Sequence, residues 1–156
     1  MDGKTYTQRR EGCRLTAYRD TRGIWTIGFG CTGSDITEGC TWTQAQADAE
    51  FARRYADAQR KAALDLGHAW TGLDYIRRCA LTDMAYQLGG TGLAEFRHML
   101  LAISQGTWDT AAQACLASLY AEQVPDRARG TAHMLLTGAW PAGFEQGAPP
   151  ALSEGV

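Results

Sequence analysis

The alternation of apolar and polar residues near the start of the chain predicts a β-hairpin. Residues 15–19 form a short candidate strand, and residues 24–29 alternate β-branched and aromatic side chains. Between them, Asp20 opens and Gly23 closes a four-residue segment with the composition of a tight turn. The pattern therefore predicts two paired strands, followed by glycine-rich loops through Gly39.

After these loops, apolar residues recur every three or four positions, which predicts helices. Thr43 and Gln46 have the spacing of a capping box, so we expect a long helix to begin there and to cover about 44–66. Glycines and a proline delimit the later helices. These helices are predicted over about 74–88, 93–103, 108–119 and 125–137.

This order of elements predicts an α+β, mostly helical fold in a single domain of residues 1–140. We expect a small hairpin lobe over about 12–43, a connecting helix over about 44–66 and a helical lobe over about 72–140. A cleft between two lobes is a common place for a site. Residues 141–156 contain three of the four prolines and few large apolar groups, so a flexible C-terminal tail is expected there.

Composition and charge exclude several classes of protein. The chain has 156 residues, of which 45% are hydrophobic and 21% charged, which is typical of a globular protein. No apolar run is long enough for a membrane span, and the first residues have no apolar core for a secretion signal. The net charge is −2 and the basic residues are scattered, so no nucleic-acid partner is expected.

The cysteines and histidines do not form a recognisable metal or disulfide pattern. The five cysteines are an odd number without a C-x-x-C pair, and the three histidines are far apart. We therefore expect free thiols in a reducing compartment, and neither a metal nor another cofactor.

Two motifs suggest nucleotide binding and a cysteine nucleophile, but the sequence around each lacks the pattern that such a site needs. Gly28-x-Gly30-x-x-Gly33 follows a predicted strand, yet more loop comes after it where a nucleotide-binding fingerprint needs a helix. Cys31 is a conceivable nucleophile if His68 or His98 approaches it in the fold, although no local motif favours this. A lone cysteine is more often an inert, small apolar residue.

Glu11, Asp20 and Thr26 form a more informative set. Glu11 lies at the end of the first segment, Asp20 at the hairpin tip and Thr26 on the second predicted strand. Hydrolysis of a glycosidic bond requires an acid at the leaving oxygen and a carboxylate across the sugar, to hold a water or to attack directly. The two carboxyl groups can meet this need, and the hydroxyl can orient the water. By chemistry alone the signal is weak, because the chain has 17 acidic residues and Asp20 also suits a turn.

The spacing of these three residues resembles the opening motif of the phage-type lysozymes, the endolysins of glycoside hydrolase family 24. The matching residues are Glu11-Gly12-x-x-Leu15-x-Ala17-Tyr18-x-Asp20-x-x-Gly23-x-x-Thr26-Ile27-Gly28-x-Gly30. Later blocks are similar to the core and C-terminal helices of that family, in order and over about 11–140. They include Asp83-Met84-x-Tyr86-Gln87-Leu88-Gly89, Gln123-x-Pro125-x-Arg127-Ala128 and Thr137-Gly138-x-Trp140.

The resemblance implies a muramidase, which hydrolyses the β-1,4 bond between N-acetylmuramic acid and N-acetylglucosamine in peptidoglycan. It implies that Glu11 is the general acid and that Asp20 and Thr26 place the water, with inversion at the sugar carbon. The substrate-binding residues implied by the same likeness are Gly30, Thr32, Tyr86 and Gln87.

Some positions depart from the family pattern. The family usually has histidine after Gly-x-Gly, often with an acidic partner on the long helix, where this chain has Cys31 and Arg54. By the resemblance, Met99 and Ala114 occupy positions that contact sugar in the family and that are often polar there. A non-catalytic wall-binding or structural relative and a lytic transglycosylase, which needs only one glutamate, remain alternatives to the muramidase.

The expected partner is the glycan strand of peptidoglycan, bound by a monomer. The resemblance further implies accumulation in the cytoplasm of the host cell, release to the wall through a separate pore protein, and lysis of the cell.

Overall fold

The computed structural model describes residues 1–89 and 91–145; residues 146–156 of the predicted tail lie outside this part. Most described residues are helical, and one small antiparallel sheet has the strand order β1-β2-β3, which confirms the α+β class. The strands are β1 (Arg14–Arg19), β2 (Trp25–Gly28) and β3 (Cys31–Thr32). The α-helices are α1 (Gly3–Glu11), α2 (Gln44–Leu66), α3 (Tyr75–Leu88), α4 (Arg97–Ser104), α5 (Trp108–Leu116), α6 (Leu119–Gln123) and α7 (Pro125–Thr137).

The chain forms two compact units, one of Lys4–Ala56 and one of Met1–Gly3 together with the residues from Asp57 onward. In the first, β1 and β2 make the predicted hairpin, in which Tyr18 lies opposite Thr26. A third strand, β3, continues the sheet beyond β2. Apolar side chains of β2, β3 and the following loop form a small buried core of Ile27, Cys31 and Ile36.

The predicted capping box at the start of α2 is confirmed. The Gln46 N–H donates to Thr43 Oγ1 at 3.1 Å, and the Thr43 N–H donates to Gln46 Oε1 at 2.8 Å. These two bonds satisfy backbone donors that the first turn of a helix otherwise leaves without partners. Phe51 is buried on the apolar face of α2, and its ring lies 5.2 Å from that of Phe29, centroid to centroid.

In the second unit, α7 packs against α3, α5 and α6. Arg77 of α3 stabilises the C-terminal end of α7, because its guanidinium donates to the carbonyls of Leu135 and Leu136 at 2.7 and 3.1 Å. The same guanidinium lies over the Trp108 ring, 3.9 Å from its centroid. No helix among the described residues is both long enough and apolar enough to cross a membrane.

Three element boundaries differ from the sequence-based expectation. The helix predicted over 93–103 is a 3₁₀ turn (Gly92–Glu95) followed by α4, which begins only at Arg97. The helix predicted over 108–119 ends at Leu116, because the Ser118 hydroxyl accepts from the Ala121 N–H at 3.4 Å and starts α6. The strand β3 lies in a segment that the sequence predicts as glycine-rich loop.

Candidate active site

Glu11 is the last residue of α1, and its carboxyl group lies against the backbone of Gly30. Gly12 follows with a φ of +69°, and its N–H donates to the Gln8 carbonyl at 2.9 Å, which ends the helix. A Cβ atom built on Gly30 would lie only 2.5 Å from Glu11 Oε2, and Gly30 itself has a φ of +72°. The backbone conformation therefore favours glycine at position 30, and a side chain there would displace the Glu11 carboxyl group.

Asp20 occupies the hairpin tip, where its carboxylate organises the turn. Asp20 Oδ1 accepts from the backbone N–H groups of Arg22 and Ile24 at 2.8 and 2.9 Å. The bond from Ile24, the bond from Arg22 and the Arg22 guanidinium together lower the pKa of Asp20 from its usual value. Asp20 is therefore an anion at neutral pH, which suits a group that orients water and does not suit a proton donor.

The hydroxyl of Thr26 is buried, because only 4% of the residue is exposed. Thr26 Oγ1 donates to the Ile24 carbonyl at 3.0 Å, so the proton of the hydroxyl points to the backbone. The lone pairs of this oxygen can still accept a hydrogen bond. An acceptor fixed in this way, together with an anionic carboxylate, can hold a water in one orientation.

Tyr18 is a further residue of this region that the site prediction did not include. It lies opposite Thr26 in the hairpin, and the Arg14 guanidinium lies 4.3 Å from its ring centroid. Burial raises the pKa of Tyr18; the charge of Arg14 opposes this rise, and the charges of Glu11 and Asp20 add to it. The electrostatic interaction with both carboxyl groups associates Tyr18 with the candidate catalytic residues. The alternation of side chains along β1 was the signal that could have identified it.

The structure brings four predicted site residues together on the first unit: Glu11 touches Gly30, and Thr26 lies opposite Thr32 in the pairing of β2 with β3. Between Gly30 and Thr32, Cys31 is fully buried in the apolar core. That burial disfavours the alternative in which the Cys31 thiol acts as a nucleophile, because a reactive thiol needs access and a charge that activates it.

Tyr86 and Gln87 lie at the C-terminal end of α3, in the second unit. Gln87 is exposed, and its side-chain oxygen accepts a hydrogen bond from Arg127 Nη1. Arg127 also forms two bonds with Asp83, at 2.9 and 2.8 Å, and Asp83 is fully buried. Because the oxygen of Gln87 faces Arg127, its NH₂ group is the part available to donate to a ligand. The sequence did not predict Arg127 and Asp83 as site residues, although the structure connects both to Gln87.

Glu11 and Asp20 supply two carboxyl groups on one compact unit, and two carboxyl groups are what most glycoside hydrolases use. Comparison with known proteins agrees with that class. The family model for phage lysozyme matches residues 8–129. The protein therefore belongs to the phage lysozyme family.

Individual relatives point to the same family. The pre-baseplate central spike protein Gp5 of Enterobacteria phage T4 is 34% identical over 154 aligned residues, which cover 84% of this chain and 27% of that protein. An endolysin of Lactococcus phage c2 is 47% identical over 53 residues, or 33% of this chain and 23% of the endolysin. The probable T4-type lysozyme 1 of Dictyostelium discoideum is 25% identical, over 82% of this chain and 89% of that protein. The chain thus spans about a quarter of the length of the first two relatives.

Proposed function

We propose that this protein is a muramidase, which hydrolyses the β-1,4 bond between N-acetylmuramic acid and N-acetylglucosamine in peptidoglycan. Glu11 donates a proton to the leaving oxygen, and Asp20 and Thr26 hold the attacking water, so that the configuration at the sugar carbon inverts. Family membership supports the substrate class. The roles of the residues rest on the chemistry of their surroundings.

The observation that carries the proposal is the position of the Glu11 carboxyl group against the Gly30 backbone, in the same compact unit as Asp20 and Thr26. Asp20 accepts two backbone hydrogen bonds and has a guanidinium nearby, which keep it ionised. Glu11 lies against the Gly30 backbone, without a Cβ atom between them. An inverting glycosidase uses one carboxyl group as the acid and the other as the base, and we assign these parts to Glu11 and Asp20; positioned proton donation alone is worth about 10²–10⁴ in rate.

Gly30 and Thr32 on the first unit, and Tyr86 and Gln87 on the second, are proposed to bind the glycan. Gln87 suits this role because Arg127 holds its oxygen and leaves its NH₂ group to donate. The acetamido carbonyl of either sugar is an acceptor that such a donor recognises. Tyr86 offers an aromatic face on which a sugar ring can stack.

The test is the reaction product of purified peptidoglycan, with and without Glu11→Gln. We expect muropeptides with reducing ends from the parent protein and a rate lower by at least 10²-fold in the variant. Glu38→Gln is the matched control, because Glu38 is an exposed loop residue to which no catalytic part is assigned. Anhydro ends would instead indicate a lytic transglycosylase, and absence of cleavage by the folded protein would indicate a non-catalytic wall-binding relative.

We further propose that the protein acts as a monomer on the cell wall and lyses the cell after a separate pore protein releases it from the host cytoplasm. The similarity to endolysins supports this route. The similarity to a central spike protein favours a second candidate, in which the chain is part of a larger spike assembly and the same chemistry acts there. Fractionation of a lysate distinguishes the two: an endolysin stays in the soluble fraction, whereas a spike component sediments with particles.

A further inference from the structure

The guanidinium of Arg54 connects helix α2 with the edge strand β3. Arg54 Nε donates to Glu50 Oε1 at 2.7 Å, and Arg54 Nη2 donates to the backbone carbonyl of Thr32 at 2.9 Å. The side chains of Arg54 and Glu50 are only 30% and 25% exposed. A partly buried, charge-assisted pair of this kind is stronger and better fixed than an ion pair in open solvent.

This connection reaches the backbone beside the candidate catalytic groups. Thr32 lies directly opposite Thr26 in the pairing of β3 with β2. Two residues before Thr32, Gly30 contacts the carboxyl group of Glu11. The strand β3 has only two residues and lies at an edge of the sheet, so strand pairing alone holds it weakly.

We propose that Arg54 is a positioning residue of the active site, which holds the segment from Gly30 to Thr32 at the distance that places Glu11 and Thr26 for catalysis. The inference rests on the muramidase function proposed above. Arg54 acts through the backbone of Thr32, so no contact with the substrate is assigned to it.

Glu50 keeps the Arg54 side chain in place. Its carboxylate also accepts two bonds from Arg53, at 2.9 and 2.6 Å. Hydrogen bonds from Arg53 and Arg54 lower the pKa of Glu50 to about 2. The carboxylate is therefore charged throughout the pH range in which a wall hydrolase works, and it holds Arg54 in one orientation across that range.

The two donors of Arg54 are different nitrogen atoms of one rigid, planar group. A guanidinium can therefore bond Glu50 and Thr32 at the same time and fix the angle between them. A lysine keeps the charge, but its ammonium is a single point on a flexible stem. Arg54→Lys should accordingly preserve attraction to Glu50 while losing part of the control over Thr32.

The experiment compares Arg54→Met with Arg53→Met. Each substitution removes an arginine that bonds Glu50, whereas the bond to the Thr32 carbonyl comes from Arg54. Steady-state kinetics on soluble glycan fragments, the midpoint of urea unfolding and amide hydrogen exchange over residues 26–32 are measured for both. We expect Arg54→Met to lower kcat at least tenfold with KM changed by less than about threefold, because misplacement by about 1 Å can cost about 10²-fold in rate.

Hydrogen exchange over β3 should become at least tenfold faster in Arg54→Met and stay unchanged in Arg53→Met. Arg54→Lys should recover part of kcat. Equal kinetics and equal exchange in the two methionine variants would overturn the proposal, and so would a fall in kcat that merely follows a common loss of stability. If the parent protein releases no reducing ends, the muramidase proposal fails. The exchange measurement then decides alone whether Arg54 holds β3.

Discussion

The hydroxyl of Thr26 provides the sharpest test of the water-positioning role, because it can be removed almost without changing the shape of the side chain. Thr26→Val replaces the hydroxyl with a methyl group at a site where only 4% of the residue is exposed. The β-branched shape that favours a strand is kept. The variant should therefore fold, and its activity reports on the oxygen atom itself.

The structure bounds the loss of stability. Thr26→Val removes the 3.0 Å bond to the Ile24 carbonyl, but that carbonyl also accepts from the Asp20 N–H at 2.9 Å and so keeps a partner. The net loss should be about 1 kcal/mol or less, the usual value of one neutral hydrogen bond. The expected loss of activity is about 10²-fold, since the water is no longer held in one orientation.

Thr26→Ser is the matched variant, because it keeps the hydroxyl and removes the methyl group. Loss of a buried methyl group reduces stability by about 1 kcal/mol, similar to the loss in Thr26→Val. Initial rates of reducing-end release and urea unfolding curves are measured for both. We expect the serine variant to keep activity within about fivefold of the parent. A valine variant that cleaves at the parental rate would refute the water-positioning role and remove the support for inversion.

Other residues give shorter tests. Gly30→Ala should lower activity at least tenfold, measured by reducing-end release, because its Cβ would lie 2.5 Å from Glu11 Oε2. Asp83→Asn should lower the free energy of unfolding by about 3 kcal/mol, since it breaks a buried ion pair; a loss under 1 kcal/mol in urea would contradict this. Folding lowers the pKa of Glu50, so this residue is protonated in the folded protein as pH falls from about 4.5 to about 2. This protonation should lower the free energy of unfolding by on the order of 1 kcal/mol, a contribution that is fully present above pH 4.5. Glu50→Gln should reduce the pH dependence of acid unfolding by about this amount, whereas Asp20 and Asp57, whose pKa values are also lowered, still contribute to it. Thiol titration of the denatured, unreduced protein should count five thiols, as the free cysteines indicate; a count of three or fewer would show a disulfide.

Elements with strong local signals could be predicted from the sequence. The hairpin had alternating residues and a turn, and α2 had a capping box whose two bonds the structure contains. The strand β3 could not be predicted, because two residues between glycines carry no periodicity. Its partner strand β2 is close in sequence, but the Thr32 carbonyl also accepts a bond from Arg54 of α2, which is 22 residues away in the chain.

Some of the site residues could also be predicted from the sequence, and others could not. Spacing in the sequence indicated Glu11, Asp20 and Thr26, but it could not show that Arg54 bonds the Thr32 carbonyl or that Arg127 holds Gln87. The pairs that form these bonds are 22 and 40 residues apart in the chain. An arginine on a helix is usually a solvated surface residue, so only the family resemblance, which places Arg54 where an acid is common, distinguishes it from Arg53.

The structural roles of the three candidate catalytic residues bear on the alternative of a non-catalytic relative. Asp20 and Thr26 each bond the hairpin backbone, so a protein without activity would also have reason to keep them. Gly30 is more informative, because its positive φ disfavours any other residue and a side chain there would displace the Glu11 carboxyl group. A backbone that leaves room for the Glu11 carboxyl group suits the proton donation that we propose for Glu11. Loss of cleavage in Glu11→Gln, with binding to peptidoglycan retained, would therefore separate the enzyme from the binding relative more clearly than any change at Asp20.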